Sequence, residues 1–587
     1  MIFIGSSLTE QRVFYQRVFT MEFDVIDQDV QRLADQKKKW AELPLKNKIE
    51  LLEQILYAIE AVADEQVKAS THAKGLMEDA NQAGEEWLGG PLIQAKVTRQ
   101  LLVALRTFEQ QGHTGIQAHH AHSKAWGQVA VKVFPHSLID KLSLQGFKAE
   151  IWLDPQESLE SWHQKTAYYY RKPDHQGMVS LVLGAGNVAS IGLLDALDKL
   201  FVHGHVCYLK FNPVNEYLFP FYASILKPLI DEGYFAMVKG GVEVGRYLCQ
   251  HELVDEIHIT GSDRTHDAIV YGTDEQAAQR KADDERVCSK NITSELGNVS
   301  PVIIVPGSWT AKEIQFHAEN VATQMTNNAG FNCNAARVLI MQKDWPQRRQ
   351  FLDALQKVLA QIPQRSAYYP GAHQRFETFM QSHSNKQSIE GVPTTMVQGA
   401  TPPTPWGLIL DVDPNDKNHP CFTQESFCAL SAQTSIDSAD AGDFLQQVTR
   451  FANDTLWGTL NACILIDPRT QKTYKTELEQ AIRDLRYGSI CINQWPALSY
   501  GMGVTAWGAY PGHHPQDIQS GIGFVHNTFL LSHIQKTVIY APFVVKPKPP
   551  WFVTHKRLSA IGHALLRLEM KPSLPRFLPV LWQAIRG

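Results

Sequence analysis

Nine short apolar runs constrain the fold of this chain more than any other feature. They are four to seven residues long and alternate with segments of helical spacing. The runs are MVSLVLG, HVCYLKF, FAMVKG, EIHITG, PVIIV, RVLIMQ, LILDV, ACILI and SICIN. They lack strict alternation of apolar and polar residues, which is typical of parallel strands covered by helices on both faces. The sequence therefore predicts an α/β fold, and its 587 residues are too many for one hydrophobic core.

Two regions before these runs follow other patterns. Residues 30–105 carry apolar positions at helical spacing, such as Ile49, Leu52 and Leu56, and we expect helices there. Residues 129–178 mix the strand-like runs VAVKVF, AEIWL and AYYYRK with loops, which predicts a β-ribbon.

Charge and composition give no reason to expect nucleic acid or a metal. The net charge is -5, and none of the eight cysteines forms a C-x-x-C pair. The cluster of His113, His119, His120 and His122 contains no cysteine or carboxylate, and we interpret it as a solvated loop rather than a metal site. The N-terminal residues lack signal-peptide features, and no apolar stretch is long enough to span a bilayer. We expect a reduced, cytoplasmic protein.

One cysteine lies in a segment that suits covalent catalysis. Cys333 lies in TNNAGFNCNAARVLI, where small and amide residues precede an apolar run. Its thiol should therefore lie on a tight turn with room for a substrate, and a thiolate there could attack a carbonyl. For a lone cysteine, a buried structural role is the usual alternative.

Two further segments carry candidate polar groups. Glu295, in SELGNVSPVIIV, could act as a general base or be a surface charge. GAGNVASIG at 184–192 could be a degenerate dinucleotide fingerprint, or its Asn187 could donate a side-chain amide to an oxyanion. The residues alone leave these alternatives open.

Together these segments resemble the aldehyde dehydrogenase superfamily, and the resemblance runs from about Trp40 to Phe543. ELGNVSPVIIV resembles the Glu-Leu-Gly-Gly-Lys-Ser-Pro segment of that family, and NNAGFNCNAARVLI is similar to its Asn-x-Gly-Gln-x-Cys and Arg-Val segment. LKFNPVNEY, HITGS, TQESF and FANDTLWGTLNACIL resemble four more family segments in the family's order. The chain looks like a divergent member with a basic C-terminal extension. The resemblance implies a Rossmann-type cofactor domain, an α/β catalytic domain and a β-ribbon oligomerisation element.

The resemblance also implies roles for three residues. Cys333 would be the nucleophile, and Asn187 with the backbone N–H of Cys333 would stabilise the oxyanion. Glu295 would activate the water that hydrolyses the thioester. This role of Asn187 replaces the fingerprint interpretation of its segment.

NAD or NADP is the cofactor that the resemblance implies. Lys210 would hold the adenosine ribose, Ser262 the pyrophosphate and Glu425 the nicotinamide ribose, with Phe427 beside the ring and Gly240 and Gly261 keeping the backbone close. Pro213 stands where the family often has a ribose-binding acid, which leaves NAD versus NADP open.

Several departures from the family pattern lie near the predicted site. Asn298 and Val299 replace a Gly-Lys pair, and Phe331 replaces a glutamine two residues before the cysteine. We therefore expect a bulkier and more apolar acyl pocket. YGMGVTAWGAYPG stands in place of the usual Pro-Phe-Gly-Gly. Its aromatic residues fit an apolar aldehyde, and packing in the core is the usual alternative for such residues.

Four parts follow from these assignments. We predict a cofactor-binding domain with N-terminal helices at 21–128 and 166–294, a β-ribbon oligomerisation element at 129–165 and 530–545, a catalytic domain at 295–529 whose C-terminal part packs back on the cofactor domain, and a basic amphipathic tail at 546–587. The strand QKTVIYAPFVV resembles the family's oligomerisation strand, so we expect a homodimer or homotetramer.

The tail has two interpretations. Residues 551–587 carry six basic residues against one acid, Glu569, with Trp and Leu residues interleaved. Such a segment could dock its apolar face on the enzyme body or a neighbouring subunit, or lie in a membrane interface. The second interpretation places the protein peripherally at the inner face of a membrane and favours long-chain aldehydes.

We predict NAD(P)-dependent oxidation of an apolar, long-chain aldehyde to a carboxylic acid through a Cys thiohemiacetal and thioester. One alternative is a CoA-acylating aldehyde dehydrogenase or acyl-CoA reductase, which would have less use for Glu295. Another is a catalytically silent, membrane-attached scaffold, since a fold does not guarantee activity.

Overall fold

Two large β-sheets organise the chain in the computed structural model, which describes residues 8–172 and 175–587 and, within them, the side chains from residue 23 onward. The strands are β1 Ala121–Ser123, β2 Val129–Phe134, β3 Lys148–Leu153, β4 Val179–Leu183, β5 Val206–Lys210, β6 Phe235–Val238, β7 Glu256–Thr260, β8 Asn291–Glu295, β9 Pro301–Ile304, β10 Val338–Gln342, β11 Lys386–Ile389, β12 Trp406–Val412, β13 Leu430–Ile436, β14 Asn461–Leu465, β15 Ser489–Ile492, β16 Trp507–Gly508, β17 Gly521–Ile522, β18 Phe524–Val525 and β19 Ile534–Tyr540.

Helices cover both sheets. They are α1 Leu8–Glu42, α2 Leu45–Ala73, α3 Gly84–Gly89, α4 Pro91–Gln111, α5 Leu138–Ser143, α6 Tyr168–Arg171, α7 Ile191–Leu197, α8 Phe219–Ile225, α9 Lys227–Asp231, α10 Val242–Gln250, α11 Asp263–Tyr271, α12 Ala277–Asp283, α13 Ala311–Thr326, α14 Arg348–Leu359, α15 Ala372–Gln381, α16 Pro420–Thr423, α17 Ala441–Asp454, α18 Pro468–Thr473, α19 Lys475–Asp484, α20 Ala497–Gly501, α21 Leu558–Met570 and α22 Leu574–Ile585. Among the described residues, no helix is both long enough and apolar enough to cross a membrane.

The smaller sheet has the strand order β17-β8-β7-β4-β5-β6, and β4 to β8 run parallel. The chain starts at β4 in the middle, moves outward through β5 and β6, and returns to β7 on the other side of β4. The direction of winding therefore reverses between β4 and β7. In open α/β sheets, ligands bind outside the carboxyl ends of the strands at such a reversal.

The larger sheet has the order β1-β2-β3-β19-β15-β14-β9-β10-β13-β12-β11. Its strands from β19 to β12 are parallel, whereas β1, β2 and β3 form an antiparallel ribbon joined to it through β19. Buried apolar side chains such as Val302, Ile340 and Ile464 fill both faces of its centre. The division into domains at particular residues stays a prediction.

Two local predictions are wrong. The strand-like run AYYYRK forms helix α6, where the Tyr170 hydroxyl donates to the carbonyl of Phe201 at 2.6 Å and packing overrides the β propensity of tyrosine. The histidine segment is not a simple loop, because Ala118–His120 forms a 3₁₀ turn and His122 pairs with Ala130 in β1 and β2.

The tail docks on the N-terminal helices through α21. Gly562 makes this approach possible, since a Cβ there would lie 2.4 Å from Cβ of Trp87. Asn81 bonds both the carbonyl of His555 at 2.7 Å and the N–H of Leu558 at 3.0 Å. The half-buried Glu569 accepts hydrogen bonds from Arg99 of α4, the shorter at 2.6 Å. The hydrogen bonds of Glu569 therefore hold α21 against α4.

Candidate active site

Cys333, Glu295 and Asn187 lie together where two cavities meet. Asn187 follows β4, and Glu295 is the last residue of β8, so both lie at the carboxyl edge of the smaller sheet. Cys333 lies on the loop before β10 of the larger sheet and faces that edge. All three line both a cleft of about 630 Å³ and a largely apolar cavity of about 700 Å³. The lining of the cleft is mixed, and we call it the polar cleft because it is the more polar of the two.

The thiol of Cys333 donates to Oε1 of Glu295 at 3.2 Å. Burial raises the pKa of the Cys333 thiol well above its usual value, and the negative charges of Glu295 and Glu425 raise it further. Burial also raises the pKa of Glu295 above its usual value. The free site therefore holds a protonated thiol beside a base whose proton affinity is enhanced, so that the proton can pass from Sγ to the carboxylate.

The side-chain amide of Asn187 is oriented by its neighbours. Its Nδ2 donates to the carbonyl of Phe331 at 3.0 Å, which leaves the second N–H of the amide for another acceptor. The backbone carbonyl of Asn187 accepts from Nδ2 of Asn328 at 2.9 Å and from the Tyr368 hydroxyl at 3.2 Å. These bonds tie the Asn187 loop to the turn that precedes Cys333.

That turn has an unusual backbone. Asn328 and Ala329 both adopt left-handed conformations, with φ of 53° and 56°. The N–H of Asn328 donates to Oε2 of Glu85 at 2.8 Å, and Arg365 donates to the same carboxylate oxygen at 2.5 Å. Left-handed residues persist only where the surroundings hold them, and here buried charged groups do so.

Sequence reasoning missed the residues that hold the Cys333 loop in place by hydrogen bonds to its backbone carbonyls. The buried Arg337 donates to the carbonyls of Cys428 at 2.6 Å, Gly330 at 2.8 Å and Asn332 at 3.1 Å. The carbonyl of Cys333 accepts from Ser300 and Asn461, each at 3.2 Å. Arg337 lies in the matched Arg-Val segment, which was the available signal for it.

The polar cleft contains four of the predicted cofactor-binding residues: Gly261, Ser262, Glu425 and Phe427. Gly297 leaves the space that the Glu425 side chain occupies, since a Cβ at Gly297 would lie 2.1 Å from Oε2 of that carboxylate. Burial raises the pKa of Glu425 to about 7. Its Oε1 is buried without a hydrogen-bond partner among the described residues, and Arg337 lies 3.8 Å away. A dinucleotide fits this lining, because an unpaired carboxylate oxygen can accept from a ribose hydroxyl.

Lys210 and Gly240, the other two predicted cofactor residues, do not line the cleft. Lys210 ends β5, and burial lowers its pKa. The N–H of Gly240 donates to Oε1 of Glu216 at 2.9 Å, and the charge of Glu216 also acts on Lys210. These three residues therefore form a separate group at the carboxyl ends of β5 and β6.

The larger cavity is lined mainly by apolar side chains from three regions. Leu88, Leu92 and Ile93 come from the N-terminal helices, and Tyr500, Met502 and Trp507 come from the segment that replaces the usual family loop. The tail contributes Ile561, Leu565, Leu568, Phe577, Val580 and Leu581. The tail is therefore part of the wall of the cavity that reaches Cys333.

Phe331 does not shape this cavity, and that sequence prediction is wrong. Its side chain is 1% exposed and lines neither cavity. It packs against Tyr368, Tyr369 and Phe427, with ring centroids 5.0, 5.6 and 6.0 Å away. The apolar character of the cavity comes from other residues.

Comparisons with known proteins agree on one family. The model of the family described as aldehyde dehydrogenase family matches residues 201–508, just over half of the chain. A curated relative, 4-trimethylaminobutyraldehyde dehydrogenase A of Danio rerio, is 28% identical over 155 residues, which are 26% of this chain and 27% of that protein. The match therefore spans little more than a quarter of that relative.

Solved structures resemble the chain over most of its length. Gamma-glutamyl-gamma-aminobutyraldehyde dehydrogenase from Burkholderia cenocepacia J2315 has a TM-score of 0.58 at 16% identity, covering 88% of each chain. The NAD-dependent aldehyde dehydrogenase from Sinorhizobium meliloti has a TM-score of 0.58 at 14% identity, covering 90% of this chain and 88% of that one. This likeness confirms the α/β fold predicted from the sequence.

Proposed function

Because this chain belongs to the aldehyde dehydrogenase family, we propose that it oxidises an apolar aldehyde to the carboxylic acid, with NAD or NADP as the hydride acceptor. The observation that carries the proposal is the position of Cys333 at the junction of an apolar cavity and a polar cleft, in hydrogen-bond contact with Glu295. The aldehyde would enter through the cavity and the dinucleotide through the cleft.

The first step joins Cys333 to the aldehyde. Glu295 takes the proton of the thiol, and Sγ attacks the carbonyl carbon to form a thiohemiacetal. The carbonyl oxygen becomes an oxyanion, which accepts from the second amide N–H of Asn187 and the backbone N–H of Cys333. Such a donor typically contributes roughly 3–4 kcal/mol to the transition state.

The second step releases the acid. Gly261, Ser262, Glu425 and Phe427 would hold the dinucleotide, which would supply a hydride acceptor beside Cys333. Loss of hydride converts the thiohemiacetal on Cys333 into a thioester. Glu295 releases the thiol proton to solvent and then takes a proton from water. The resulting hydroxide attacks the thioester carbon and expels the Cys333 thiolate, which recovers a proton from Glu295. A raised pKa suits Glu295 for this role, because a general base works best when its pKa lies near the working pH.

The lining of the cavity supports an apolar substrate. Its volume of about 700 Å³ lies within the range of sites that enclose a whole small molecule. Charged side chains in the wall pair with one another, as Lys96 does with Glu569 at 3.5 Å. A polar substrate therefore gains few hydrogen bonds from them. Each buried methylene of a substrate contributes about 0.8 kcal/mol.

A panel of linear aldehydes tests this proposal. We expect kcat/KM for decanal to exceed that for propanal by about 10²-fold or more, since the longer chain buries several additional methylenes. Phe577→Ser, which removes one ring from the cavity wall, should lower kcat/KM for decanal and leave that for propanal within about twofold. NAD(P)H formation is measured with and without CoA.

Two outcomes would contradict the proposal. Equal kcat/KM values for both aldehydes would remove the argument for an apolar substrate. Strict dependence on CoA would replace hydrolysis by transfer of the acyl group to CoA.

The group formed by Lys210, Glu216 and Gly240 supports NAD rather than NADP. A carboxylate in the place where the adenosine ribose is expected can accept from the ribose 2′-hydroxyl but repels a 2′-phosphate. We expect kcat/KM to be about tenfold or more higher with NAD. Glu216→Gln should narrow this ratio by improving use of NADP, whereas the exposed Glu243→Gln on α10 should not change it. A wild-type preference for NADP would overturn this assignment.

The proposal includes a cytoplasmic, homo-oligomeric enzyme. Among the described strands, β1 pairs with β2 alone, so its other edge is open to a strand of a second copy. Light scattering coupled to gel filtration would detect the expected homodimer or homotetramer.

A further inference from the structure

Exposed apolar side chains are concentrated around the outer end of the apolar cavity. Of the sixteen large hydrophobic residues that are exposed among the described side chains, seven lie on two short helices, α5 and α22. We call them the outlet face: Leu138, Leu142, Leu574, Leu578, Leu581, Trp582 and Ile585. Single exposed apolar residues are normal, whereas a group of this size marks an interaction surface.

Helix α22 has two apolar surfaces. Val580 and Ala584 are buried and pack with the half-buried Phe577 against α21. A separate stripe at positions 574, 578, 581, 582 and 585 is exposed, with Leu578 63% and Trp582 59% accessible. The first surface explains how α22 is held in place. The second remains exposed among the side chains that the structure describes.

Helix α5 places a second exposed edge beside α22. Ile139 packs against the cluster formed by α21 and α22, while Leu138 and Leu142 on the same helix are 62% and 45% exposed. Leu142 and Leu581 also line the apolar cavity. The cavity that reaches Cys333 therefore opens within the outlet face.

The charges around the outlet face are almost all positive. Residues 546–587 contain eight lysines and arginines and a single acid, Glu569, which is half-buried and paired with Lys96 and Arg99. The only acid of α5, Asp140, accepts the N–H groups of His136 and Ser137. The exposed charges include Lys141, Arg567, Lys571 and Arg586.

These charges distinguish between two occupants of the face. In a symmetric contact between two copies, the cations of one outlet face would lie against the same cations of the other, which is unfavourable. An anionic lipid surface offers opposite charge to the lysines and arginines and an apolar interior to Trp582 and the leucines.

We propose that the outlet face docks on an anionic membrane surface, so that the apolar cavity opens onto the lipid and takes up its aldehyde there. This inference rests on the proposed function for the identity of the substrate. Binding to lipid itself depends only on the outlet face and its charges.

Flotation of the full-length protein with lipid vesicles tests the proposal. We expect binding to vesicles of phosphatidylcholine with phosphatidylglycerol, weak binding to phosphatidylcholine alone, and loss of binding at high salt. The double variant Leu578→Asp and Trp582→Asp should bind vesicles at least about tenfold more weakly than wild type, since it places two carboxylates in the apolar stripe. Leu159→Asp, at a residue 40% exposed outside the outlet face, is the matched control and should bind like wild type.

Activity toward propanal in solution separates this inference from the proposed function. Leu578 and Trp582 do not line the cavity, so the double variant should oxidise propanal at the wild-type rate. Failure of wild type to float with anionic vesicles would overturn the membrane proposal, as would equal binding by the double variant. A change in oligomeric state of the double variant without vesicles would instead identify the face as an interface between copies. Vesicle binding without any aldehyde oxidation would overturn only the proposed function.

Discussion

Replacing Cys333 with serine is expected to lower the rate of aldehyde oxidation by about 10⁴-fold or more. Glu295 lies 3.2 Å from the thiol and has a raised pKa, but an alcohol holds its proton far more tightly than a thiol does. The serine hydroxyl would therefore stay protonated, and no covalent adduct would form. Absorbance of NAD(P)H with decanal as substrate measures the loss.

The seven other cysteines provide the control for this prediction. All of them are buried, whereas Cys333 is partly accessible. Cys288→Ser should keep its activity, because Cys288 lies in the core of the smaller-sheet region and lines neither cavity. Iodoacetamide should add one group per native chain, at Cys333. The thiolate is the reacting form, and because the thiol pKa is raised, the rate of alkylation should rise with pH into the alkaline range. A Cys333→Ser enzyme that oxidises decanal as fast as wild type would point to another nucleophile, whereas no oxidation by either protein would point to the silent-scaffold alternative.

The sequence was sufficient to predict the family and the α/β fold; the family match confirms the first and the structural likeness the second. It also led to three residues that the fold brings together, Cys333, Glu295 and Asn187. Each of these lies in a short segment whose residue types suit its local geometry. Gly297, two residues after Glu295, is an example, because a Cβ there would collide with Glu425. Short segments of this kind can be read without knowledge of distant contacts.

Features that depend on distant contacts could not be read in this way. Phe331 was assigned to the substrate pocket, but it packs beneath the cleft because Tyr368 and Tyr369, far along the chain, lie beside it. The wall that the tail gives to the apolar cavity depends on contacts of α21 with α3 and α4, more than 450 residues earlier. The sequence predicted a basic amphipathic tail, but neither its two helices nor the surface on which they dock.

Replacing Glu295 with glutamine is expected to slow steady-state turnover by about 10³-fold while leaving the first turnover intact at alkaline pH. Glutamine cannot take a proton from water, so the thioester on Cys333 would persist. The negative charge of Glu295 is one cause of the raised thiol pKa, after burial. Its removal lowers that pKa, and the thiolate then forms at a lower pH without a base. Rapid mixing with decanal and NAD(P) should show a burst of one NAD(P)H per active site.

Intact-mass measurement after the burst should show a decanoyl group on Glu295→Gln, and none on the double variant that also carries Cys333→Ser. In wild type, turnover should fall as pH drops through the raised pKa of Glu295. The protonated carboxyl can accept neither the proton of the Cys333 thiol nor that of the hydrolytic water. This acid limb should be absent from the steady state of Glu295→Gln. The variant should also be alkylated by iodoacetamide at a lower pH than wild type. Loss of the burst at alkaline pH would contradict this division of steps, since Glu295 would then be required after the thiolate has already formed.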